Sequence, residues 1–156
     1  MTAIAALLEQ SIAELQDFLA AIAAERHSLV KGDINQLPAI AEKKSALAIR
    51  LAGLEAKRDA ALGAGGFGVG REGAAAWLAA NPAASRQGAH NAWQHYVDQA
   101  AEAKRENEIN GKLIAARLQQ NHQALAALLG ETSDAGTYGA DGQRRAKSGS
   151  RPLGSA

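Results

Sequence analysis

The sequence contains no cysteine among its 156 residues, which excludes disulfide bridges, iron–sulfur clusters and thiolate zinc sites. Aromatic residues are also scarce, at two each of Phe, Trp and Tyr, so we expect one elongated domain and not a large compact core. No run of about 20 uncharged apolar residues is present to form a membrane-spanning segment. Seventeen Lys and Arg against sixteen Asp and Glu give a net charge of +1, so charge alone indicates neither nucleic acid nor an anionic membrane as a partner.

A secretory signal is not expected at the N-terminus either. The first residues lack a basic segment, and Glu9 falls where the apolar part of a signal peptide would continue. The absence of cysteine is compatible with a reducing compartment. We therefore expect a soluble protein that stays in the cytoplasm.

Regularly spaced aliphatic residues are abundant, and they predict long helices. Between residues 3 and 30 the large apolar residues are spaced three or four apart, which is the pattern of a helix that packs along one face. They are Leu8, Ile12, Leu15, Leu19, Ile22 and Leu29, with Arg26 at the position between the last two. The pattern resumes over 36–62, after a Lys31-Gly32-Asp33 turn in which Asp33 could cap the next helix. Two such helices joined by a few residues predict an antiparallel hairpin.

A third helix is predicted over about 90–129, after a glycine-rich connection at 63–89. The segment 63–73, GAGGFGVGREG, contains six glycines and predicts a loop, with a short helical piece around Trp77. The third helix would be about a third longer than the others, so we expect its part from Ile114 onward to extend past Gly32. An aliphatic stripe without a partner in its own chain is typical of a binding surface.

The predicted fold is therefore all-α, with a long antiparallel helical hairpin packed against a long third helix. Residues 1–130 are expected to form the helical domain. Residues 131–156 are rich in Gly, Ser, Asp, Thr and Arg, and we expect them to form a disordered tail.

No residue pattern predicts catalysis, a metal or a cofactor. Gly68, Gly70 and Gly73 match GxGxxG, but a helix is predicted before them where a dinucleotide site requires a strand. The histidines lack the spacing of a helical metal pair with a third ligand. They are His27, His90, His95 and His122. We therefore predict a protein that is not an enzyme and has neither a metal site nor a cofactor.

The carboxylates are predicted to share the solvent side of the helices with Lys and Arg. They are Glu9, Glu14, Glu25, Glu42, Glu55, Glu102, Glu106 and Glu108. Three basic residues, Lys44, Arg58 and Lys104, fall on the apolar seams themselves. They either set the register of the helices or extend out of a narrow core, and we favour the second interpretation.

The segment Asn107–Ile114 is the most informative part of the third helix. Glycine inside a helix costs about 1 kcal/mol relative to alanine, so Gly111 predicts either a close approach by another backbone or a bend. The amides of Asn107 and Asn110 could pair across an interface and fix its register. Packing on the hairpin and contact with a partner explain this segment equally well.

The stretch from Glu106 to Leu129, ENEINGKLIAARLQQNHQALAALL, with the later Tyr138-Gly-Ala-Asp-Gly-Gln143, resembles the FlgN family of flagellar export chaperones. A less specific similarity covers about residues 3–143. The chain departs from the family in its 63–73 loop and at Ala140, where the family often has proline. The resemblance implies a non-enzymatic, cytoplasmic chaperone of flagellar type III secretion.

The resemblance also implies partners. The clients would be hook–filament junction (hook-associated) proteins, bound through their C-terminal segments, and the chaperone would dock on the membrane protein of the export gate. A client's amphipathic helix could bury its apolar face on the third helix. The candidate client-binding residues are Asn107, Asn110, Gly111, Leu113, Ile114, Leu118, Leu125 and Leu128. Tyr138, an isolated aromatic in a polar tail, is the candidate for contact with the export gate.

Two other hypotheses stay open. The same seams could serve a structural coiled-coil protein that associates with itself. The basic residues of the tail could bind nucleic acid, although no aromatic residues are interleaved with them and we do not favour it. These residues are Arg144, Arg145, Lys147 and Arg151. Membrane insertion is not expected.

Overall fold

The computed structural model describes residues 3–135, and the side chains of residues 3–130. Residues 3–135 contain helices and turns but no strand, which confirms the predicted all-α fold. The helices are α1 (Ala3–Lys31), α2 (Leu37–Ala64), α3 (Gly70–Ala80), α4 (Pro82–Arg86) and α5 (Ala89–Ala135). α5 continues five residues beyond the predicted start of the tail, and residues 136–156 lie outside the described part.

The chain divides into two units, Met1–Ile114 and Ala115–Ala156. The first unit contains α1 to α4 and the first part of α5. The second contains the remainder of α5, of which the side chains are described as far as residue 130. The predicted division into a domain ending at 130 and a tail stays a prediction.

In the first unit, α1 and α2 form the predicted hairpin. Four aliphatic residues of α1 spaced seven apart are buried, namely Leu8, Leu15, Ile22 and Leu29. Gly32 takes a φ of 77° at the turn, and the Asp33 amide donates to the carbonyl of Ser28 at 3.0 Å. Asp33 makes no side-chain cap; a short 3₁₀ turn follows it, and α2 begins at Leu37 with Pro38 in its first turn.

The part of α5 in the first unit packs along α1 and runs parallel to it. Near its start Ala89 and Trp93 share a cluster with Ile4, and farther along Ala103 is clustered with Ile22. Contact positions therefore advance in the same direction on both helices. This confirms the predicted packing of a third helix on the hairpin.

The inner face of α5 differs by one position from the predicted seam. The spacing of three or four residues that starts at Trp93 and ends at Leu128 predicts a seam that includes Lys104 and Gly111. The structure instead buries their neighbours Ala103 and Asn110. Residues there are small or polar, so they give no aliphatic periodicity from which to fix the phase of the helix.

The predicted helical piece around Trp77 is confirmed as α3, and a second short helix, α4, follows it. The segment 63–73 is not a loop throughout, since α2 extends to Ala64 and α3 already begins at Gly70. α3 begins at Gly70, whose amide donates to Asp59 Oδ1 at 3.0 Å. A Cβ on Gly73 would lie 2.8 Å from the carbonyl carbon of Gly68, so glycine is required for this close approach. Trp77 and Leu78 of α3 then join Leu62 in an apolar cluster.

No helix within residues 3–135 combines the length and the apolar character needed to cross a membrane.

Candidate functional site

A buried polar cluster joins α1, α2 and α5 in the first unit. Asn110 is 0% exposed and makes three hydrogen bonds. Its Nδ2 donates to the carbonyl of Ile22 and to Glu25 Oε2, both at 2.8 Å, and its Oδ1 accepts from Arg26 Nε at 3.0 Å. Lys44 Nζ of α2 donates to the same Glu25 oxygen at 2.7 Å. We call Glu25, Arg26, Lys44, Glu106 and Asn110 the Asn110 cluster.

Arg26 ties the cluster to α5 a second time. Its guanidinium pairs with the Glu106 carboxylate, and its Nη2 donates to the Glu106 carbonyl at 3.2 Å. Because buried polar groups must be paired to avoid a desolvation penalty, this set of bonds selects one register of α5 on the hairpin. The bonds of Asn110 thus support the interpretation in which its amide fixes the register of α5 on the hairpin of the same chain.

Two predictions about charged residues are wrong in this cluster. Glu25 was placed on the solvent side, but it is 5% exposed and its Oε2 accepts hydrogen bonds from Lys44 and Asn110. Lys44 was expected to extend into solvent, but its ammonium contacts Glu25. A carboxylate can lie inside a helical bundle when a cation and an amide bond to it, and partners on other helices cannot be inferred from local spacing.

Arg58 is the third charged residue whose predicted position is wrong, because it is buried where extension into solvent was expected. Its guanidinium carbon lies 5.3 Å from the ring centroid of Trp93 and 5.2 Å from that of Tyr96, both on α5. Its Nη2 donates to Glu55 at 3.4 Å, while Nε and Nη1 have no hydrogen-bond partner within the described residues. Stacking on aromatic faces is an arrangement suited to arginine. Lys104, by contrast, is exposed.

The other candidates of the first unit surround Asn110 on α5. Asn107 and Gly111 are exposed, and a Cβ on Gly111 would meet no atom within 4 Å, which contradicts the expected close approach of a backbone. Gly111 is also within the continuous helix α5. Leu113 is half-buried and Ile114 is 37% exposed. For Asn110, contact with a client would require the cluster to open, and it stays a prediction.

In the second unit, large apolar side chains are exposed on one face of α5. Leu118, Leu125 and Leu128 are 55%, 56% and 60% exposed, and we call them the leucine stripe. At about 100° per residue, the three lie within about 80° of one another around the helix. From residue 115 to 130, every side chain except that of Arg117 is exposed.

A metal site is not formed by the described residues, since no group of three or more His, Asp or Glu side chains among them could hold an ion. Tyr138 and the basic residues of the tail lie outside the described part. The described chain therefore provides a helical unit of fixed register and a helical segment with exposed leucines, and the second of these is suited to binding another helix.

Comparison with known protein families identifies the family of the chain. The model of the FlgN protein family matches residues 1–146, nearly the whole chain. The chain belongs to the FlgN family. The FlgN family is one of flagellar export chaperones, which bind flagellar proteins, and it is not known as a family of enzymes. The resemblance found in the sequence is thereby confirmed. Searches of the curated proteins and of the solved structures returned no significant match.

Proposed function

We propose that this FlgN-family chain is a cytoplasmic chaperone of hook–filament junction proteins. It binds their C-terminal segments, prevents their premature assembly and delivers them to the export gate. The family supplies the general role, and the leucine stripe is the single observation that supports a client-binding surface on α5.

Exposed leucines are ordinary when they occur singly, but three on one face of one helical segment form a surface that another helix can cover. Burying a leucine completely contributes about 1.5–3 kcal/mol. Since the three are a little more than half exposed, covering them contributes on the order of 3–5 kcal/mol. Ordering a disordered client costs roughly 2–5 kcal/mol or more. The stripe therefore needs contributions from neighbouring residues, and the net affinity is moderate, as suits a chaperone that releases its client.

Four residues of α5 in the first unit are further client-binding candidates. Leu113 and Ile114 are aliphatic, and Asn107 and Gly111 are polar or small. Docking on the export gate is assigned to Tyr138. That assignment rests on the family and on the isolation of this aromatic residue in a polar segment.

The test is calorimetric titration of the full chain with peptides of about 40 residues from the C-termini of the two junction proteins of the same genome. Leu118→Asp and Leu125→Asp place a carboxylate in the apolar contact, and each is expected to weaken binding by at least about 100-fold, because a buried unpaired charge costs several kcal/mol. Their thermal melting should stay close to that of the unchanged chain, since both residues are exposed.

Two control variants show whether weaker binding comes from the change in the leucine stripe or from an added charge anywhere on the chain. Ala116→Asp adds the same charge on the opposite side of the same segment, and Ile49→Asp changes an aliphatic residue of α2 that is 71% exposed. Both should bind like the unchanged chain. If the stripe variants bind normally, the proposed surface is wrong. If the chain alone grows in mass with concentration and the stripe variants abolish that growth, self-association is its function.

A further inference from the structure

Charged residues are scarce between positions 115 and 130, the part of the second unit whose side chains are described. Arg117 is the only charged residue between positions 115 and 130, and the other polar residues there are Gln, Asn and His. Complementary charges commonly choose partners and fix the register of paired helices. This segment has almost no charge with which to do so, and its specificity must come from another property.

Asn121 is the polar residue that lies within the leucine stripe. It follows Leu118 by three positions and precedes Leu125 by four, so it belongs to the same face of the helix. Its side chain is exposed. A helix that covers the leucines on both sides of Asn121 necessarily removes this amide from water.

Asn110, eleven residues earlier in α5, shows what a buried asparagine requires in this protein. Its amide is satisfied by a carbonyl, a carboxylate and a guanidinium, and no polar atom of the side chain is left unpaired. An amide buried without partners costs about 1–3 kcal/mol. A helix that presents only aliphatic side chains to Asn121 would incur that penalty.

We propose that Asn121 is the specificity-determining residue of the client site. The matching client is an amphipathic helix whose apolar face carries one hydrogen-bonding side chain, an amide, carboxylate or hydroxyl, placed opposite Asn121. Pairing of the two polar groups fixes the client in one register, and every shifted register buries Asn121 against hydrocarbon. This inference rests on the proposed function.

A client, and not a second copy of the chain, is the occupant that the segment fits. Two copies could pair their Asn121 side chains, but the stripe from Leu118 to Leu128 spans fewer than two heptads. Self-pairing helices of this kind are typically recognised by three to four heptads with charges at the flanking positions. A chaperone needs only a transient complex, for which the short stripe is sufficient.

The test compares the full chain with its Asn121→Leu variant, using the same junction-protein peptides. The substitution removes the polar requirement, so we expect several-fold tighter binding together with loss of the unique register. Because the chain has no cysteine, a spin label at Gln119→Cys and another at a single cysteine in the peptide report the register as a distance distribution. We expect one distance for the chain that retains Asn121, and two or more distances for the Asn121→Leu variant.

The matched control is Gln123→Leu, which replaces an amide on the opposite side of the same helical segment. It should leave both the affinity and the single distance unchanged. This control separates loss of the polar group within the stripe from a general increase in the apolar character of α5.

Weaker binding by Asn121→Leu, or a single unchanged distance, would overturn the assignment. A dimer of the free chain that Asn121→Leu strengthens would also overturn it, because Asn121 would then pair copies of the chain. Failure of the unchanged chain to bind either peptide would contradict the proposed function itself, and is distinguishable from these results.

Discussion

The two parts of α5 carry different kinds of residue on one face of the helix. In the first unit its inner face carries Ala100, Ala103 and Asn110, and these residues pack against or bond to the hairpin. In the second unit, the stripe carries Leu118 and Leu125, which remain exposed. Alanine gives little burial energy, so polar bonds must fix the position of the docked part.

Leucine differs from alanine both in the burial energy that it contributes and in how far it selects a partner. A leucine face supplies more burial energy on contact, but alone it accepts many partners and registers. The docked part of α5 is therefore held in register by its polar cluster, whereas in the proposed complex the stripe supplies affinity and Asn121 supplies discrimination.

The largest expected difference in the free energy of unfolding is that between alanine substitutions of the two asparagines, Asn110 and Asn121. Asn110→Ala removes three hydrogen bonds and leaves Glu25 and Arg26 each with one partner fewer, so the free energy of unfolding should fall by about 2–4 kcal/mol. Asn121→Ala changes an exposed residue and should alter it by less than about 0.5 kcal/mol. Urea unfolding measures both, and equal effects would contradict the difference between the two parts of α5.

A smaller effect should distinguish two alanines of the same helix. Ala103 is 4% exposed between helices, and Ala103→Leu forces extra methyl groups into that contact, at a cost of about 1–3 kcal/mol. Ala116 is exposed, and Ala116→Leu should change the free energy of unfolding by no more than about 0.5 kcal/mol. Tolerance of leucine at position 103 in thermal melting would show that α5 is not closely packed on α1.

The smallest effect should be a stabilisation. A Cβ on Gly111 meets no atom within 4 Å, and the residue is helical without a positive φ. Gly111→Ala should therefore raise the free energy of unfolding by about 0.5–1 kcal/mol, through the better helix propensity of alanine. A decrease in thermal melting would instead reveal a bend or a close contact that requires glycine.

Much of the fold was predictable because large aliphatic residues repeat along it. Leu8, Leu15, Ile22 and Leu29 lie seven apart, and Gly32 stands where the turn occurs, so the hairpin and its helix bounds followed from the sequence. The face of α5 that packs on the hairpin did not follow from the sequence, because alanine and polar residues dominate that face. The close approach of Gly73 in α3 to the backbone of Gly68 was also missed, since a contact between two backbone segments has no local pattern.

The candidate site was predictable in part. The exposed leucines of α5 followed from a helical pattern longer than the hairpin could cover, and the family followed from the segment around Asn110 together with the Tyr138 motif. The burial of Glu25 and Arg58 could not be predicted, because each depends on side chains from another helix. Tyr138 lies outside the described residues, and its role stays a prediction.

Amide hydrogen exchange of the full chain, with and without a junction-protein peptide, tests the central claim most directly. The account predicts that amides of residues 93–110 exchange slowly in both states, because this part of α5 is packed against α1. It predicts that residues 115–130 exchange faster in the free chain and become protected only when the peptide is bound. Protection confined to other helices, or peptide binding that leaves residues 115–130 unchanged, would contradict it.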